Sequence, residues 1–357
     1  MIKKDIFSSE KCEEAERSGS FLNQWLFEAY RQKWFKLFVP NHLGGLELGL
    51  PEALRIEEEL ARIDGSLGWT VTLCAGAGWF VGFMEDSLRQ EVFSNAELCV
   101  AGSGFVGGEA DKIGDSFIIS GNWTYASGAL HATHFTANCI ISDSGKNRLG
   151  NSGEPVIKAF ILKREEVEIL DSWKYMGMIA TGSHAFKVDK LIVPLNRCFE
   201  ILPEKVKLKS PLYLYPFLQF AETTLTVNVL GLTLHFQELI EKTFWERNSR
   251  RKFKVKEVDY FKKVFQKEKK KILEKKEIFY KIIDDSWAEI QKEGEISKGT
   301  LAKVSNISRK MIRHCRSSNA KLYPFAGLEA AKTQTELNRV WRDFNTVSQH
   351  SLLTFPF

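Results

Sequence analysis

Hydroxyl, imidazole and aromatic side chains are concentrated in one short segment, NWTYASGALHATHF, which spans residues 122–135. The segment directly follows a run of β-branched residues, so its polar groups would lie at the end of a strand. His131 and His134 have no third metal ligand nearby, which argues against a metal site and favours a structural role for both. Ser127 and Gly128, taken alone, are typical of a turn.

His350, in the segment SQHSLL, is the second residue of chemical interest. The ordinary pKa of histidine is about 6.5, so this side chain can take a proton from a phenolic or similar substrate and return one at neutral pH. His350 is therefore the candidate general base or acid. Because it lies close to the last residue of the sequence, a histidine in a frayed terminus stays the alternative.

The composition is that of a globular protein with ample material for a folded interior. The 357 residues are 44% hydrophobic and 27% charged, which suits two or three domains. The balance of 50 basic and 45 acidic residues gives a net charge of +5, which argues against a nucleic-acid binder. The six cysteines show no zinc-site spacing. Without a signal-like or membrane-spanning run, a soluble cytoplasmic protein with no membrane partner is expected.

Hydrophobic periodicity changes twice along the chain. Between residues 10 and 93, apolar residues recur every three or four positions, which predicts amphipathic helices. Between 98 and 203, short β-branched runs alternate with turn residues, which predicts a small antiparallel sheet or barrel. After residue 210 the helical period returns. We therefore predict an α+β fold with an N-terminal helical domain at 1–95, a central β-barrel or sheet domain at 96–205 and a C-terminal helical bundle at 206–357.

One segment, residues 250–276, has a biased composition, RRKFKVKEVDYFKKVFQKEKKKILEKK. Its Val258, Phe261, Phe265 and Ile272 are spaced for one face of a helix, and lysines cover the rest. A solvated helix face is favoured over a surface for an acidic partner.

Several segments, quoted in chain order, carry a family resemblance: FVPNHLGG, ARIDGSLGWT, SGNWTYASG, WKYMGMIATGSHAFKVDKLIVP, LYPFAG and RVWRDFNTVSQH. Together with the order of helices, strands and helices, they resemble the acyl-CoA dehydrogenase superfamily and, within it, the branch of two-component flavin-dependent monooxygenases. The resemblance covers nearly the whole chain. No single motif is as specific as a set of metal ligands. The resemblance therefore depends on several motifs that occur in the family's order.

The resemblance implies an oxygenase that hydroxylates a small, for example aromatic, substrate through a C4a-hydroperoxyflavin. It implies a flavin cofactor, either FAD or reduced FMN, which a separate flavin reductase supplies. It also implies a homotetramer. The protein's part would be to hold the flavin and to exclude water from it.

The resemblance also assigns roles to residues around the strand end. Ser127 would lie near flavin N5, where its hydroxyl can hydrogen-bond, and Gly128 would let the backbone approach the ring. Trp123 would either pack against the isoalloxazine or belong to the core. The backbone amides from Tyr125 to Ser127 would meet the polar edge of the ring. His350 would face the reactive edge.

Three arginines are candidates for contact with the flavin phosphate. Arg250 and Arg251 occupy roughly the place where family members present a basic residue to the flavin of a partner subunit. Arg342 could reach a flavin phosphate, but an ion pair with Asp343 or with a neighbouring subunit is favoured.

Two other functions stay open at this point. An acyl-CoA dehydrogenase needs a carboxylate base, usually in a Tyr-Glu-Gly setting that the sequence lacks. Glu222 is the alternative base, although its register against Gly231 is off by one, which turns a helical side chain by about 100°. A non-catalytic interaction module of the same fold, with the lysine-rich segment as its contact surface, is the third possibility. Flavin titration separates the module from both enzymes.

Overall fold

Helices form both ends of the described chain and strands form its middle. The computed structural model describes residues 4–355. The first α-helices are α1 (Ser9–Ser18), α2 (Asn23–Arg31), α3 (Leu50–Ile63), α4 (Gly65–Gly78) and α5 (Asp86–Phe93). The strands are β1 (Val100–Ile113), β2 (Ser116–Trp123), β3 (His134–Asp143), β4 (Lys146–Asn147), β5 (Ile157–Lys163), β6 (Glu168–Leu170), β7 (Ala185–Pro194) and β8 (Cys198–Phe199). The later helices are α6 (Pro211–Leu214), α7 (Phe217–Arg251), α8 (Val255–Glu293), α9 (Lys298–Leu322), α10 (Glu336–Val347) and α11 (Ser351–Thr354).

The predicted α+β class is confirmed by this mixture of one sheet and many helices. The helices up to α5 and the strands from β1 onward lie on either side of the predicted boundary at residue 95. The division into three domains stays a prediction, because it concerns independent folding units and not only the order of the elements.

Helix α4 is the element on which the candidate site is built. Its N-cap is Asp64, whose Oδ1 accepts a hydrogen bond from the backbone N–H of Leu67 at 3.1 Å. Glycine lets α3 approach closely, since a Cβ at Gly68 would lie 2.4 Å from Cα of Ala61. Within residues 4–355, one helical stretch, Gly65–Phe83, is long and apolar enough to cross a bilayer, and 83% of the qualifying window is buried inside the fold.

The strands form one sheet in the order β6-β7-β2-β1-β3-β5-β8, with β4 paired to β3. Strands β1 and β3 run parallel, and the other pairs are antiparallel. The register of β1 against β3 shifts between Gly102 and Gly108. A Cβ at Gly108 would lie 2.4 Å from Cζ2 of Trp123, so this irregular, glycine-containing part of β1 makes room for the indole ring.

Three long helices, α7, α8 and α9, dominate the last part of the chain. The lysine-rich segment begins in the last turn of α7, turns at Lys252 with a left-handed φ of 53°, and continues as α8. Phe261, Phe265 and Ile272 are buried, in agreement with their helical spacing. Phe261 stacks on Phe244 of α7 with ring centroids 3.6 Å apart. This aromatic contact joins the two helices, and lysines lie on the outer face of α8.

Candidate active site

Residues 125–128 form the turn that follows β2 and carry the Ser-Gly step. Ser127 is buried, and Tyr125 and Gly128 have positive φ angles of 67° and 80°. A Cβ at Gly128 would lie 2.9 Å from Sγ of Cys74 and 3.2 Å from Cγ2 of Thr70, both in α4. Glycine is therefore required here by its φ and by its packing. Gly128 thus allows a close approach to helix α4, while the approach of its backbone to a cofactor ring, which the resemblance implies, stays a prediction.

Three buried hydroxyl groups lie in a row behind this turn. Oγ of Ser127 lies 2.8 Å from Oγ of Ser183, which lies 2.6 Å from Oγ1 of Thr181. Thr181 donates in turn to the carbonyl oxygen of Met178 at 2.7 Å. We call Ser127, Ser183 and Thr181 the hydroxyl row. The sequence marked the segment around Thr181 as a family feature, but it gave no sign of a contact between residues 56 positions apart.

The backbone amides of the turn are already paired within the chain. The N–H of Ala126 donates to the carbonyl of His184 at 3.1 Å, and the N–H of Ser127 donates to the carbonyl of Tyr125 at 3.0 Å. An engaged N–H is not free to donate to a ligand. These two amides are therefore not available for the flavin edge to which the sequence assigned them.

Tyr125, Trp173 and Tyr175 form an aromatic cluster beside the hydroxyl row. The rings of Trp173 and Tyr175 stack with centroids 4.0 Å apart, and the hydroxyls of Tyr125 and Tyr175 lie 3.3 Å apart. Nε1 of Trp173 donates at 2.9 Å to the carbonyl of Met178, which also accepts from the hydroxyl row. Tyr125 is 57% exposed and Tyr175 is 44% exposed. The cluster thus offers open aromatic surface for a flat ligand.

Trp123 belongs to the core of the sheet. Its ring is 0% exposed and stacks on Phe186 with centroids 5.1 Å apart, while its Nε1 donates to the carbonyl of Asn138 at 2.9 Å. Of the two interpretations that the sequence left open, the structure supports the packing one. A contact of Trp123 with a flavin stays a prediction.

His350 lies at the N-terminus of α11, half-buried. Its Nδ1 accepts a hydrogen bond from the backbone N–H of Leu352 at 3.3 Å. Its ring meets that of Trp69 edge to face, with centroids 5.9 Å apart. Burial lowers the pKa of His350 below its ordinary value, so the neutral ring is favoured. With Nδ1 accepting, the neutral ring carries its proton on Nε2.

Helix α4 brings these groups to one junction. Thr70 lies against the Ser-Gly step, and the preceding residue, Trp69, contacts the ring of His350. Asp343 of α10, the helix that leads to His350, accepts a hydrogen bond from the N–H of Met178 at 2.5 Å. We call this place the α4 junction. It collects the hydroxyl row, the aromatic cluster and the histidine.

Arg342 is engaged inside the chain. Its guanidinium lies 2.6 Å from Oε1 of Glu16, 2.7 Å from the carbonyl of Met176 and 2.8 Å from Oδ1 of Asn338. Within the chain the ion pair therefore goes to Glu16 and not to Asp343, while an ion pair with a neighbouring subunit stays a prediction. Because these bonds already use the guanidinium, we assign Arg342 to joining α1 and α10 and not to a flavin phosphate.

Arg250 and Arg251 line a surface cavity of about 90 Å³ that shares no lining residue with this junction. Arg247, Leu328 and Glu329 complete its lining. Burial, followed by the charge of Arg251, lowers the pKa of Arg247. Three positive groups thus face one small opening. A second cavity, of about 460 Å³, lies against α1 and α2 and includes none of the predicted site residues.

Glu222 is placed as a structural ion-pair partner. It is 0% exposed, and its Oε1 lies 2.5 Å from Nη2 of Arg309. A carboxylate that is paired with arginine and closed off from solvent is poorly placed to remove a proton from a substrate. The geometry therefore weighs against Glu222 as the alternative base.

The two histidines of the opening segment have structural partners. Nε2 of His131 accepts from the N–H of Phe21 at 3.1 Å, and burial lowers the pKa of His131 to about 4. Nδ1 of His134 lies 3.1 Å from Oγ1 of Thr133. Among residues 4–355 there is no group of three or more His, Cys, Asp and Glu side chains that could hold a metal ion.

Curated proteins similar to this chain are hydroxylases and monooxygenases by name. A pigment production hydroxylase of a Rhodococcus species is 29% identical over 62% of this chain and 58% of its own length. An indole-3-acetate monooxygenase of Acinetobacter baumannii is 24% identical over 89% of this chain and 80% of its own length. The match thus spans only a little over half the length of the first of these relatives. No protein-family profile matches the chain.

Solved structures share the fold over almost the whole chain. A 3-HSA hydroxylase of a Rhodococcus species superimposes with a TM-score of 0.89 at 20% identity, covering 99% of this chain and 91% of its own. XiaF of a Streptomyces species, in complex with FADH2 and glycerol, gives 0.86 at 18% identity over 98% and 89%. TdsC of a Paenibacillus species, in complex with FMN and indole, gives 0.78 at 17% identity over 98% and 92%.

Proposed function

We infer that this chain, which has the acyl-CoA dehydrogenase fold and whose curated relatives are flavin-dependent monooxygenases, is the oxygenase component of such a two-component enzyme. The family resemblance predicted from the sequence is confirmed by these relatives and structures. The proposed reaction is hydroxylation of a small aromatic substrate. An aromatic substrate is supported by the name of the indole-3-acetate monooxygenase and by the indole bound in TdsC.

The single observation that carries the proposal is the α4 junction. Consecutive residues of one helix contact the Ser-Gly step and the neutral histidine, and the aromatic cluster is joined to the buried hydroxyl row through the carbonyl of Met178. These groups fit a flat ring that has polar atoms along one edge. Bound reduced flavin would supply the electrons with which molecular oxygen is activated.

In this proposal the aromatic cluster stacks on the cofactor ring and shields it from water. Tyr125 and Tyr175 have the exposed ring surface for this contact, while Trp173 is fixed by its hydrogen bond to Met178. Ser127 places its hydroxyl oxygen next to the polar edge of the ring. The protein thereby orients the cofactor through one stacking contact and one hydrogen bond.

His350 would act on the substrate through Nε2. The neutral ring carries its proton on that atom, because Nδ1 accepts from Leu352. Nε2–H can donate a hydrogen bond to an oxygen atom of the substrate. To act as a base through Nδ1, the ring would have to give up the bond to Leu352. The arrangement therefore favours a hydrogen-bond donor to the substrate over a group that transfers a proton.

We assign the flavin phosphate to the arginine cavity. Arg247, Arg250 and Arg251 concentrate positive charge at one opening, which suits a phosphate group. Because the cavity shares no lining residue with the α4 junction, we propose that it serves the flavin of a partner subunit in a homotetramer. Either FMN or FAD fits this description.

The proposed partners are a separate flavin reductase and a small-molecule substrate. We propose a cytoplasmic location, where a reductase can pass reduced flavin to this chain. The dehydrogenase alternative is disfavoured because Glu222 is paired with Arg309.

The test is to bind reduced FMN or FADH2 without oxygen, then to add oxygen with a panel of phenols and indoles, and to identify products by mass spectrometry. The proposal expects an aromatic product that contains one added oxygen atom. A control panel of acyl thioesters with oxidised flavin should give no reaction. Oxidation of a thioester would replace the proposal with the dehydrogenase, and a failure to bind any flavin would leave the interaction module.

A further inference from the structure

The hydroxyl row has only one arrangement of its protons that satisfies all of its contacts. Each hydroxyl has one proton to donate. The carbonyl of Met178 can only accept, so the proton of Thr181 points to it across 2.7 Å. Thr181 then has no proton for Ser183, and the 2.6 Å contact between them requires Ser183 to donate. Any other assignment leaves two oxygens in close contact without a proton between them.

The same count fixes the proton of Ser127. Because Ser183 donates to Thr181, the 2.8 Å contact between Ser127 and Ser183 requires Ser127 to donate. The proton of Ser127 therefore points into the protein, along the row. Its oxygen keeps lone pairs that accept no hydrogen bond from residues 4–355. Ser183 and Thr181 are 3% and 1% exposed, so water cannot readily replace a missing partner within the row.

We propose that Thr181 and Ser183 are positioning residues that make Ser127 a hydrogen-bond acceptor only, and that this selects the reduced form of the cofactor. The inference rests on the proposed function, because it places flavin N5 beside Ser127. Reduced flavin carries N–H at N5, which can donate to Ser127. Oxidised flavin has a lone pair there, which would face the lone pairs of Ser127.

The consequence is a preference built into the apoprotein. An oxygenase of this kind receives reduced flavin from another protein and must release the oxidised form after turnover. A fixed acceptor opposite N5 strengthens the binding of the reduced flavin and weakens the binding of the oxidised flavin. The anchor of this preference is the carbonyl of Met178, which also accepts from Trp173 and so is held from both sides.

The test compares dissociation constants for oxidised and anaerobically reduced FMN. The wild-type protein should bind the reduced form more tightly. Ser183→Ala frees the proton of Ser127 to turn toward N5, and Thr181→Val frees the proton of Ser183 so that the row can reverse. Each change should tighten the binding of oxidised FMN by about tenfold, the worth of one hydrogen bond gained where lone pairs had opposed each other. Ser127→Ala removes the hydroxyl that could accept from N5 or donate to it, so this variant should not bind oxidised FMN about tenfold more tightly.

Three controls separate positioning from folding. Thr181→Ser keeps the hydroxyl and should bind as the wild type does. Thr136→Val removes a buried hydroxyl from β3, outside the row, and should leave the ratio of the two constants unchanged. Melting temperatures identify variants that fold poorly. If one of the two row variants does not fold, the other carries the test.

The outcomes distinguish this inference from the function on which it rests. Tighter binding of oxidised FMN by Ser183→Ala or Thr181→Val supports the hydroxyl row, because damage to a structure weakens binding. If the wild type binds both forms and the ratio stays the same in every row variant, the inference is overturned while the proposed function stands. If the wild type binds neither form, both fall together.

Discussion

Asp343 of α10 accepts a hydrogen bond from the backbone N–H of Met178, whose carbonyl in turn accepts from Thr181 and Trp173. One peptide segment thus joins three parts of the proposed site: the hydroxyl row, the aromatic cluster and the helix that leads to His350. Burial, followed by the charge of Asp64, raises the pKa of Asp343 to about 7, while the hydrogen bond from Met178 and the charge of Arg339 oppose the rise. The carboxyl is therefore a titrating group at the centre of the site.

The pH dependence of stability should reveal this group. A carboxyl whose pKa is higher in the folded state stabilises the fold at low pH and loses that contribution as the pH rises through the folded value. For Asp343 the loss should run from about pH 4 to about pH 7, at no more than about 1.4 kcal/mol per pH unit. Asp343→Asn keeps an oxygen that can accept from Met178 but cannot titrate. Urea unfolding of both proteins across this range should show a smaller decline for the variant; parallel curves would contradict the assignment.

Ser127→Ala should uncouple the oxidation of reduced flavin from hydroxylation of the substrate. Without the serine oxygen next to the ring, we expect a greater share of the consumed oxygen to appear as hydrogen peroxide and less as hydroxylated product. The loss of one hydrogen bond corresponds to a change in product partition of about fivefold to tenfold. Coupled assays for peroxide and product measure it. Ser142→Ala, whose hydroxyl bonds Asp111 within the sheet, is the matched control. Equal partition in the two variants would remove Ser127 from the site.

His350→Asn should lower hydroxylation without weakening flavin binding. Asparagine can keep the N-cap acceptor toward Leu352 but does not place an N–H where Nε2 lies. A loss of about tenfold in kcat is expected from removing the hydrogen bond that Nε2–H donates to the substrate. His42→Asn changes an exposed histidine and should have no effect. An equal loss of flavin binding and of activity would instead make His350 a structural residue.

The pH profile gives a second view of His350. Burial lowers its pKa, so the neutral ring that donates through Nε2 prevails at pH 7 and becomes charged only below the ordinary histidine range. The wild-type rate with a neutral substrate should therefore fall only at pH values below the ordinary histidine range, where protonation of Nδ1 breaks the hydrogen bond from Leu352. The rate of His350→Asn should not show this fall at low pH. A fall that persists in this variant would have to come from another group.

Charge reversal at the arginine cavity should weaken flavin binding selectively. Arg250→Glu and Arg251→Glu each replace attraction for a phosphate by repulsion, and we expect the dissociation constant for FMN to rise by about tenfold or more, less so at high salt. Riboflavin, which has no phosphate, should bind the wild type and each variant equally. Lys263→Glu, an exposed change of the same sign on α8, is the control. If riboflavin and FMN respond alike, the cavity does not hold the phosphate.

The sequence predicted well those features that depend on residues close together in the chain. The helical period of Phe261, Phe265 and Ile272 placed these residues on the buried face of α8. The alternation of β-branched runs with turns located the strands, including β2 before the Ser-Gly step. In each case neighbours in the chain decide the structure, so a single sequence contains the information.

Contacts between distant segments escaped prediction. Nothing in the sequence indicated that Trp123 would stack on Phe186, because the register of β2 against β7 decides which aromatic residues meet. The pairing of Arg342 with Glu16, 326 residues apart, depends in the same way on how α10 packs. Ser183 became a candidate only when its 2.8 Å contact with Ser127 was visible.

A crystal structure of the protein with reduced FMN, prepared without oxygen, tests the central claim most directly. The account predicts that the flavin ring stacks on Tyr125 or Tyr175, that N5 lies within hydrogen-bonding distance of Oγ of Ser127, and that Nε2 of His350 faces the open side. A flavin bound elsewhere, with Ser127 and His350 both out of contact with it, would contradict the account.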